Sequence, residues 1–447
     1  MSRRRKILLG SLFGALADYR TRVKADGGVV EALTCANSLD ADVVMIPSGY
    51  KATTLYSQIG TDGVDDFDVA RNSIATRVNK SGLIEEVAID VPRLDYSDGA
   101  CPVLLTEPQS TNLATYSEDF SDATWGTPRQ STIEINSIIS PSGVLNGTKL
   151  VEDSSINVHY IRLGTTPTIT IGIQYTASFF AKKGERNFCV IDNYNQANSQ
   201  TIFNLENGTI GADTSDSSSI THIGNGWYKC SNTYTATQTG AFTGIGVALN
   251  STTQNYQGDG TSGIYIWGAQ LEALSYPTSY IKTEGATVTR LADVVNNAGD
   301  ATSFADAEGV LYINSSALFD SLSDRVISIN DASLNNRIYI SYSSTTNQIA
   351  VDVIDGGVSQ ASMTHTLTDE TDYSKIAVKW KVNDCALWVD GVEVATDATC
   401  TMPSGLADLS FNDGNSANNF YGKTKALKVY PFLNDTQLLA LTTTGEI

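Results

Sequence analysis

The tightest constraint on this chain lies in residues 373–395, where side-chain character alternates with period two and is interrupted twice by turn residues. The order is YSKIAVKWKV, Asn383-Asp384, CALWV, Asp390-Gly391, VEVA. A period of two sends successive side chains to opposite faces of a strand, and Asp-Gly supplies the left-handed backbone that a two-residue hairpin needs. Three antiparallel strands are predicted here. The same alternation returns in QYTASFFAKK (174–183), GWYKCSNTYTA (226–236), FTGIGVAL (242–249) and GIYIWGAQLE (263–272). Short strands separated by turn signals are the pattern of antiparallel sandwiches. In the last of them Ile264 and Ile266 face one way and Tyr265 and Trp267 the other, so both faces are apolar. That predicts a central strand, covered on one side by the facing sheet and on the other by a loop or neighbouring subunit. Near the end, KALKVYPFL reads as a strand, and Asn434, three residues ahead of Gln437, as the N-cap of a short helix.

The expected fold is all-β: two antiparallel β-sandwiches (jelly rolls) in tandem after an N-terminal helix and a small β-rich region. At about 100–200 residues per domain, a chain of 447 residues holds two or three. The expected boundaries are 1–100 for the N-terminal arm and β-rich region, 101–290 for the first sandwich and 300–447 for the second, with the polar, small-residue passage 282–308 as the linker. The net charge is −20, but residues 1–24 hold seven basic side chains and one acid. The remaining body is therefore strongly acidic and repels phosphate backbones, so nucleic-acid binding is not expected of it.

Residues 3–17, RRRKILLGSLFGALA, have the basic start and apolar run of a secretory signal. Read as a helix, Leu8, Leu9, Leu12, Phe13, Leu16 and Val23 recur at three- and four-residue steps and form one apolar stripe, weakened by Gly10 and Gly14. The run is too short to span a bilayer. The favoured reading is a stripe that docks into a partner or self-associates. The alternatives are a helix packed on its own domain and an export signal.

Chemistry-bearing motifs are sparse. No GxSxG elbow and no HExxH pair occurs, and the GxGxxG at Gly258, Gly260 and Gly263 precedes a strand instead of a helix, which makes it a turn. No catalytic residues and no cofactor are expected. Six cysteines (35, 101, 189, 230, 385, 400) form no CxxC pair and are read as free thiols, with Cys385 and Cys400 able to meet. The acidic stretch Asp62, Asp65, Asp66, Asp68 lacks the spacing of a calcium hand and reads as a solvated loop. No metal ligands are assigned, and structural calcium is left open.

Sugar recognition asks for flat rings that stack on a pyranose while polar groups bond its hydroxyls. Trp380 alternates in phase with Ile376, Val378 and Val382, and Trp267 lies in an apolar strand, so both read as core. Trp388, in phase with Asp390, reads as a surface ring. Trp125 and the loop tyrosines Tyr194 and Tyr256 complete the candidate glycan-binding set.

The segments ARNSIATRVNKSGLIEEVAIDVPRLDY (70–96), LLTEPQSTNLATYSEDFSDATW (104–125) and IYIWGAQLEALSYPTSYIKTEGATVTRLADV (264–294) resemble bacteriophage virion proteins of the head-spike or fibre type, which carry a carbohydrate-binding-module-like jelly roll. EGVLYI (308–313), KIAVKWKVNDCALWVDGVEV (375–394) and ALKVYPFLNDTQLLALT (426–442) are similar to concanavalin A-like, laminin-G-like lectin sandwiches. The resemblance implies a non-enzymatic virion protein, attached to other virion proteins through the N-terminal arm, frequently homotrimeric, and recognising host surface polysaccharide. A capsid or tail decoration protein without ligand, and an exported polysaccharide-binding or polysaccharide-cleaving protein, are the competing readings.

Overall fold

The computed structural model describes residues 19, 22–30, 41–58, 62–164, 167–197, 199–320 and 323–445. The docking candidates Leu8, Leu9, Leu12, Phe13 and Leu16 lie outside them. Val23, the last residue of that stripe, is buried against Tyr19 and Tyr56, so at this position the stripe packs on its own unit.

The chain is all-β, as the alternation predicts, but its two sandwiches are not consecutive. One compact unit comprises the residues up to Asn72, Val87–Pro108 and Ala292–Ile447; the other comprises Ser73–Glu86 and Gln109–Leu291. The second is thus inserted into the first. The N-terminal region, expected to stand apart, instead contributes strands to the C-terminal sandwich.

In the discontinuous unit, the strand Gly422–Tyr430 lies inside an eight-stranded sheet. Glu308–Ala317 flanks it on one side and Val103–Thr106 on the other, while Val43–Met45 also pairs with it. The hairpins Ser374–Lys381, Cys385–Val389 and Val392–Asp397 extend this sheet as predicted. Their turns use left-handed residues at Asn383 (φ 56°), Asp390 (φ 47°) and Gly391 (φ 85°). A five-stranded sheet faces it, in the order Val358–Thr366, Gln348–Asp355, Arg337–Tyr342, Arg325–Asn330, Asp408–Ser410. Ile313, Ile327, Ile329, Ile338, Ile340, Val351, Val378, Trp380 and Leu427 fill the space between. Each such side chain stabilises the fold by about 1.5–3 kcal/mol relative to exposure.

The expected linker 282–308 is structural. Val294–Asn296 pairs with Phe67–Ala70, and Asp293 sits at the centre of a buried ion network. Its carboxylate accepts from Arg71 Nη1 at 2.9 Å, from the Glu107 N–H at 2.9 Å and from Arg93, which also pairs with Glu107. Burial alone would pull the Arg93 guanidinium down, but Asp293 and Glu107 more than offset it, and the group is held charged.

The terminal helix Asp435–Thr444 carries the predicted capping box between Asn434 and Gln437. It covers the outer face of the eight-stranded sheet, burying Leu438 and Leu441 with Tyr312, Ala377 and Trp388. Gly391 serves this docking, since a Cβ there would lie 2.6 Å from Thr443 Oγ1.

In the inserted unit, one six-stranded sheet has the order Ser131–Ile139, Leu145–Glu152, Gly263–Glu272, Gln174–Lys183, Trp227–Thr235, Ser217–Gly224. The other runs Thr209–Asp213, Gln200–Asn204, Phe188–Asn193, Thr243–Ala248, Ile156–Arg162, Asn255–Gln257. Ile264 and Ile266 enter the core between the sheets. Trp267 points outward and is covered by Tyr280, Phe180 and Ile84, the loop cover that its doubly apolar strand predicts.

The reading of six free thiols is corrected at Cys101, which sits exposed in a loop and is disulfide-bonded. Cys189, Cys230, Cys385 and Cys400 are buried and free. The last two meet as expected, with Sγ atoms 2.7 Å apart.

Candidate functional site

The cross-strand register of the second sheet of the inserted unit lines up a row of unlike residues on its outer face. Arg162 stands opposite Gly244, Gly244 opposite Asp192, and Asp192 opposite Gln200. The adjacent row on the same face reads Tyr160, Gly246, Val190, Ile202. Alternation sends the intervening Ile161, Ile191 and Ile245 into the core, so each strand is apolar inward and mixed outward.

The glycines in the middle of both rows make room for neighbouring side chains, a ring at Gly244 and an aliphatic group at Gly246. A Cβ at Gly244 would lie 2.5 Å from Tyr194 Cε2, and one at Gly246 would lie 2.9 Å from Val190 Cγ1. Tyr194 therefore lies down over the strand and stacks on Tyr160, with centroids 4.5 Å apart and planes at 28°. The Arg162 guanidinium is 5.6 Å from the Tyr194 ring and 4.6 Å from the Phe242 ring. A planar cation set between two aromatic rings is favoured electrostatically and held in one orientation.

Burial raises the Asp192 carboxyl above its ordinary range, and hydrogen bonds from Gln200, at 2.8 Å, and Gln254 only partly offset it. Burial, then the Asp192 charge, pushes the Tyr194 phenol up, so it remains protonated. Its buried hydroxyl has no hydrogen-bond partner among the described residues. The face thus joins half-buried rings, a cation and an acceptor. Such a set can stack on the apolar side of a sugar ring and bond its hydroxyls.

Of the four sequence candidates only Tyr194 belongs to this face. Trp125 ends the short 3₁₀ helix Ala123–Trp125 and is core: its Nε1 donates to Tyr116 O at 2.7 Å and its ring packs on Phe120. Trp388 does point away from the sandwich interior, but the terminal helix covers that face and leaves it 7% exposed. Tyr256 is buried, its hydroxyl donating to Glu152 and its ring lying 5.4 Å from the Arg186 guanidinium. None of these three rings is open to stack on a sugar. Sequence reasoning passed over Tyr160, Arg162 and Asp192. The available signal was the glycine at every second position in FTGIGVAL, which marks a strand that other side chains lie across.

Among the described residues no group of three or more His, Cys, Asp or Glu is arranged to hold a metal ion, and no helix is long and apolar enough to cross a membrane.

The fold and this face define a two-sandwich all-β protein with an aromatic and guanidinium-lined sheet surface. No protein-family model matches the chain, and no curated protein matches it. Several solved structures share parts of the architecture. The Ruminococcus gnavus IT-sialidase CBM40 is 16% identical over 31% of this chain and 84% of its own, with a TM-score of 0.27. Domains LG4-5 of the mouse laminin alpha1 chain are 12% identical over 62% of this chain and 88% of their own, with a TM-score of 0.23. Trypanosoma rangeli sialidase is 10% identical over 67% of this chain and 60% of its own, with a TM-score of 0.26. Likenesses this distant carry no argument about ligand or activity.

Proposed function

We propose that this chain is a non-enzymatic glycan-binding appendage of a bacteriophage virion, a head or tail fibre or spike, and that it grips host surface polysaccharide through the face built by Tyr160, Arg162, Asp192 and Tyr194. The observation that carries the glycan reading is the Arg162 guanidinium, set between Tyr194 and Phe242 over a glycine-floored strand. A side chain that served only the fold would have its donors paired. Arg162 has no hydrogen-bond or ion-pair partner among the described residues, so its N–H groups are available to a ligand. The virion assignment is supported by the segments 70–96, 104–125 and 264–294, which resemble spike and fibre proteins. In this reading, the N-terminal arm attaches the chain to other virion proteins. Assembly as a homotrimer multiplies weak sugar contacts through effective concentration.

The test is a glycan array probed with the full chain and with Arg162→Ala, paired with immunogold labelling of purified particles. Binding to host polysaccharide that is lost in the variant, with label on projecting fibres, is the expected result. No binding to any glycan, with label flush on the shell, would replace the proposal with a decoration role. Release of reducing ends from polysaccharide would overturn its non-enzymatic part.

A further inference from the structure

A polar cavity lies in the discontinuous unit, on the outer face of its five-stranded sheet. It has a volume of about 110 Å³, enough for several water molecules or one sugar ring. Its floor is formed by Ala350, Ser341 and Val326, cross-strand neighbours in one row. The alternation that sends Ile338, Ile340 and Tyr342 into the core sends Arg337, Tyr339 and Ser341 to this face.

The walls are held in place from behind. Tyr339 donates its hydroxyl to Asp352 at 2.7 Å, and the Arg337 guanidinium lies 4.9 Å from the Tyr339 ring while Nη1 donates to Asp413 O at 2.6 Å. The Asp413 carboxylate accepts from the Asn415 and Ala417 N–H groups and from Asn418 Nδ2, which fixes the loop carrying Asn418. Two residues of that loop, Ser416 (φ 58°) and Asn418 (φ 50°), adopt left-handed backbone without being glycine. Such conformations persist where the surroundings impose them.

The fold leaves the hydroxyl on the cavity floor unsatisfied. Ser341 is 3% exposed, lines the cavity, and its hydroxyl has no hydrogen-bond partner among the described residues. A buried hydroxyl without a partner is costly, and a ligand or an ordered water removes the cost.

We propose that this cavity is a second ligand site, independent of the inserted unit, and that it takes a small neutral polyhydroxylated molecule such as a single sugar residue. The lining selects that class. Ser341, Arg337 and Asn418 offer donors and Asp324 an acceptor, which matches hydroxyl groups that both give and receive. The two carboxylates, Asp324 and Asp413, outnumber the single guanidinium, so an anion is disfavoured. Arg337 in the wall disfavours a bare metal cation. The chain then presents two sites, one on each unit.

The experiment uses the full chain carrying Arg162→Ala, so that the first face is silenced and the failure of one site is not mistaken for failure of the other. Saturation-transfer NMR against glucose, galactose, mannose and N-acetylglucosamine reads binding. At least one is expected to bind. Adding Ser341→Leu, which fills the floor, is expected to weaken it by at least about tenfold, equivalent to about 1.4 kcal/mol. Asn418→Ala, at the exposed rim, gives a second reading in case Ser341→Leu unfolds the sheet, and is expected to weaken binding in the same direction. No binding of any of the four sugars, or binding unchanged by both substitutions, would overturn the proposal.

Discussion

Asp293→Ala tests whether the passage between the sandwiches is a linker or a keystone. The carboxylate joins two guanidinium groups, Arg71 and Arg93, whose side chains are 0% exposed. Removing one partner of a buried pair costs about 3–5 kcal/mol, because the remaining charge is stranded in a poor solvent. Here two cations lose the same acceptor, so the upper end of that range is expected. Asp293→Asn keeps the shape and one acceptor and should cost less, about 1.5–3 kcal/mol, the worth of a hydrogen bond to a charged group. The double variant Arg71→Met/Asp293→Ala leaves Arg93 and Glu107 as a neutral pair and should be more stable than Asp293→Ala alone. Hydrogen exchange followed by mass spectrometry in rising urea resolves the two units by peptide. The loss should fall on strands such as Glu308–Ala317 and Gly422–Tyr430, not on Gln174–Lys183 in the inserted unit. An Asp293→Ala protein within about 1 kcal/mol of the parent, or a loss confined to the inserted unit, would refute the reasoning.

Three further outcomes are expected. Gly244→Val puts a side chain where Tyr194 Cε2 now lies, 2.5 Å from the Cβ position, so glycan binding measured by calorimetry should be lost while the midpoint of thermal unfolding falls only modestly. Asp192 is raised by burial above its ordinary 3.8, so the folded state holds its proton more tightly than the unfolded state does. Stability therefore declines as pH rises through the window from that value up to the folded one, and the stability of Asp192→Asn relative to the parent should rise across it, seen by urea titration at a series of pH values; the opposite slope would contradict the assignment. Leu438→Ala, at a position 0% exposed, should cost about 2–5 kcal/mol and shift Trp388 fluorescence to the red as the helix loosens from the sheet.

The sequence made the local elements legible because their causes are local. The hairpins at Asn383-Asp384 and Asp390-Gly391, the capping box at Asn434 and the doubly apolar strand Gly263–Glu272 each depend on residues a few positions apart. What it hid depends on distant partners. Alternation correctly sent Trp388 to the outer face, but only the docked helix decides that this face is dry. The small polar residues around Asp293 read as a linker because the arginines that need its carboxylate lie some two hundred residues earlier. The glycan face was legible at Tyr194 alone. Its other members come from the strands Ile156–Arg162 and Phe188–Asn193, which are brought together by Thr243–Ala248 between them.

The placement of Gly422–Tyr430 inside the eight-stranded sheet has a consequence for biosynthesis. The residues that flank this strand, Val103–Thr106, Val43–Met45 and Glu308–Ala317, all leave the ribosome before it does. The inserted sandwich is complete once Leu291 has emerged and can fold while the chain is still growing. The surrounding sandwich must wait for Gly422–Tyr430, because until that strand is made Val43–Met45 and one edge of Glu308–Ala317 lack their partner. Nascent chains that stall before residue 422 would carry a finished inserted unit beside an open sheet, a form that chaperones and proteases discriminate readily from the completed protein.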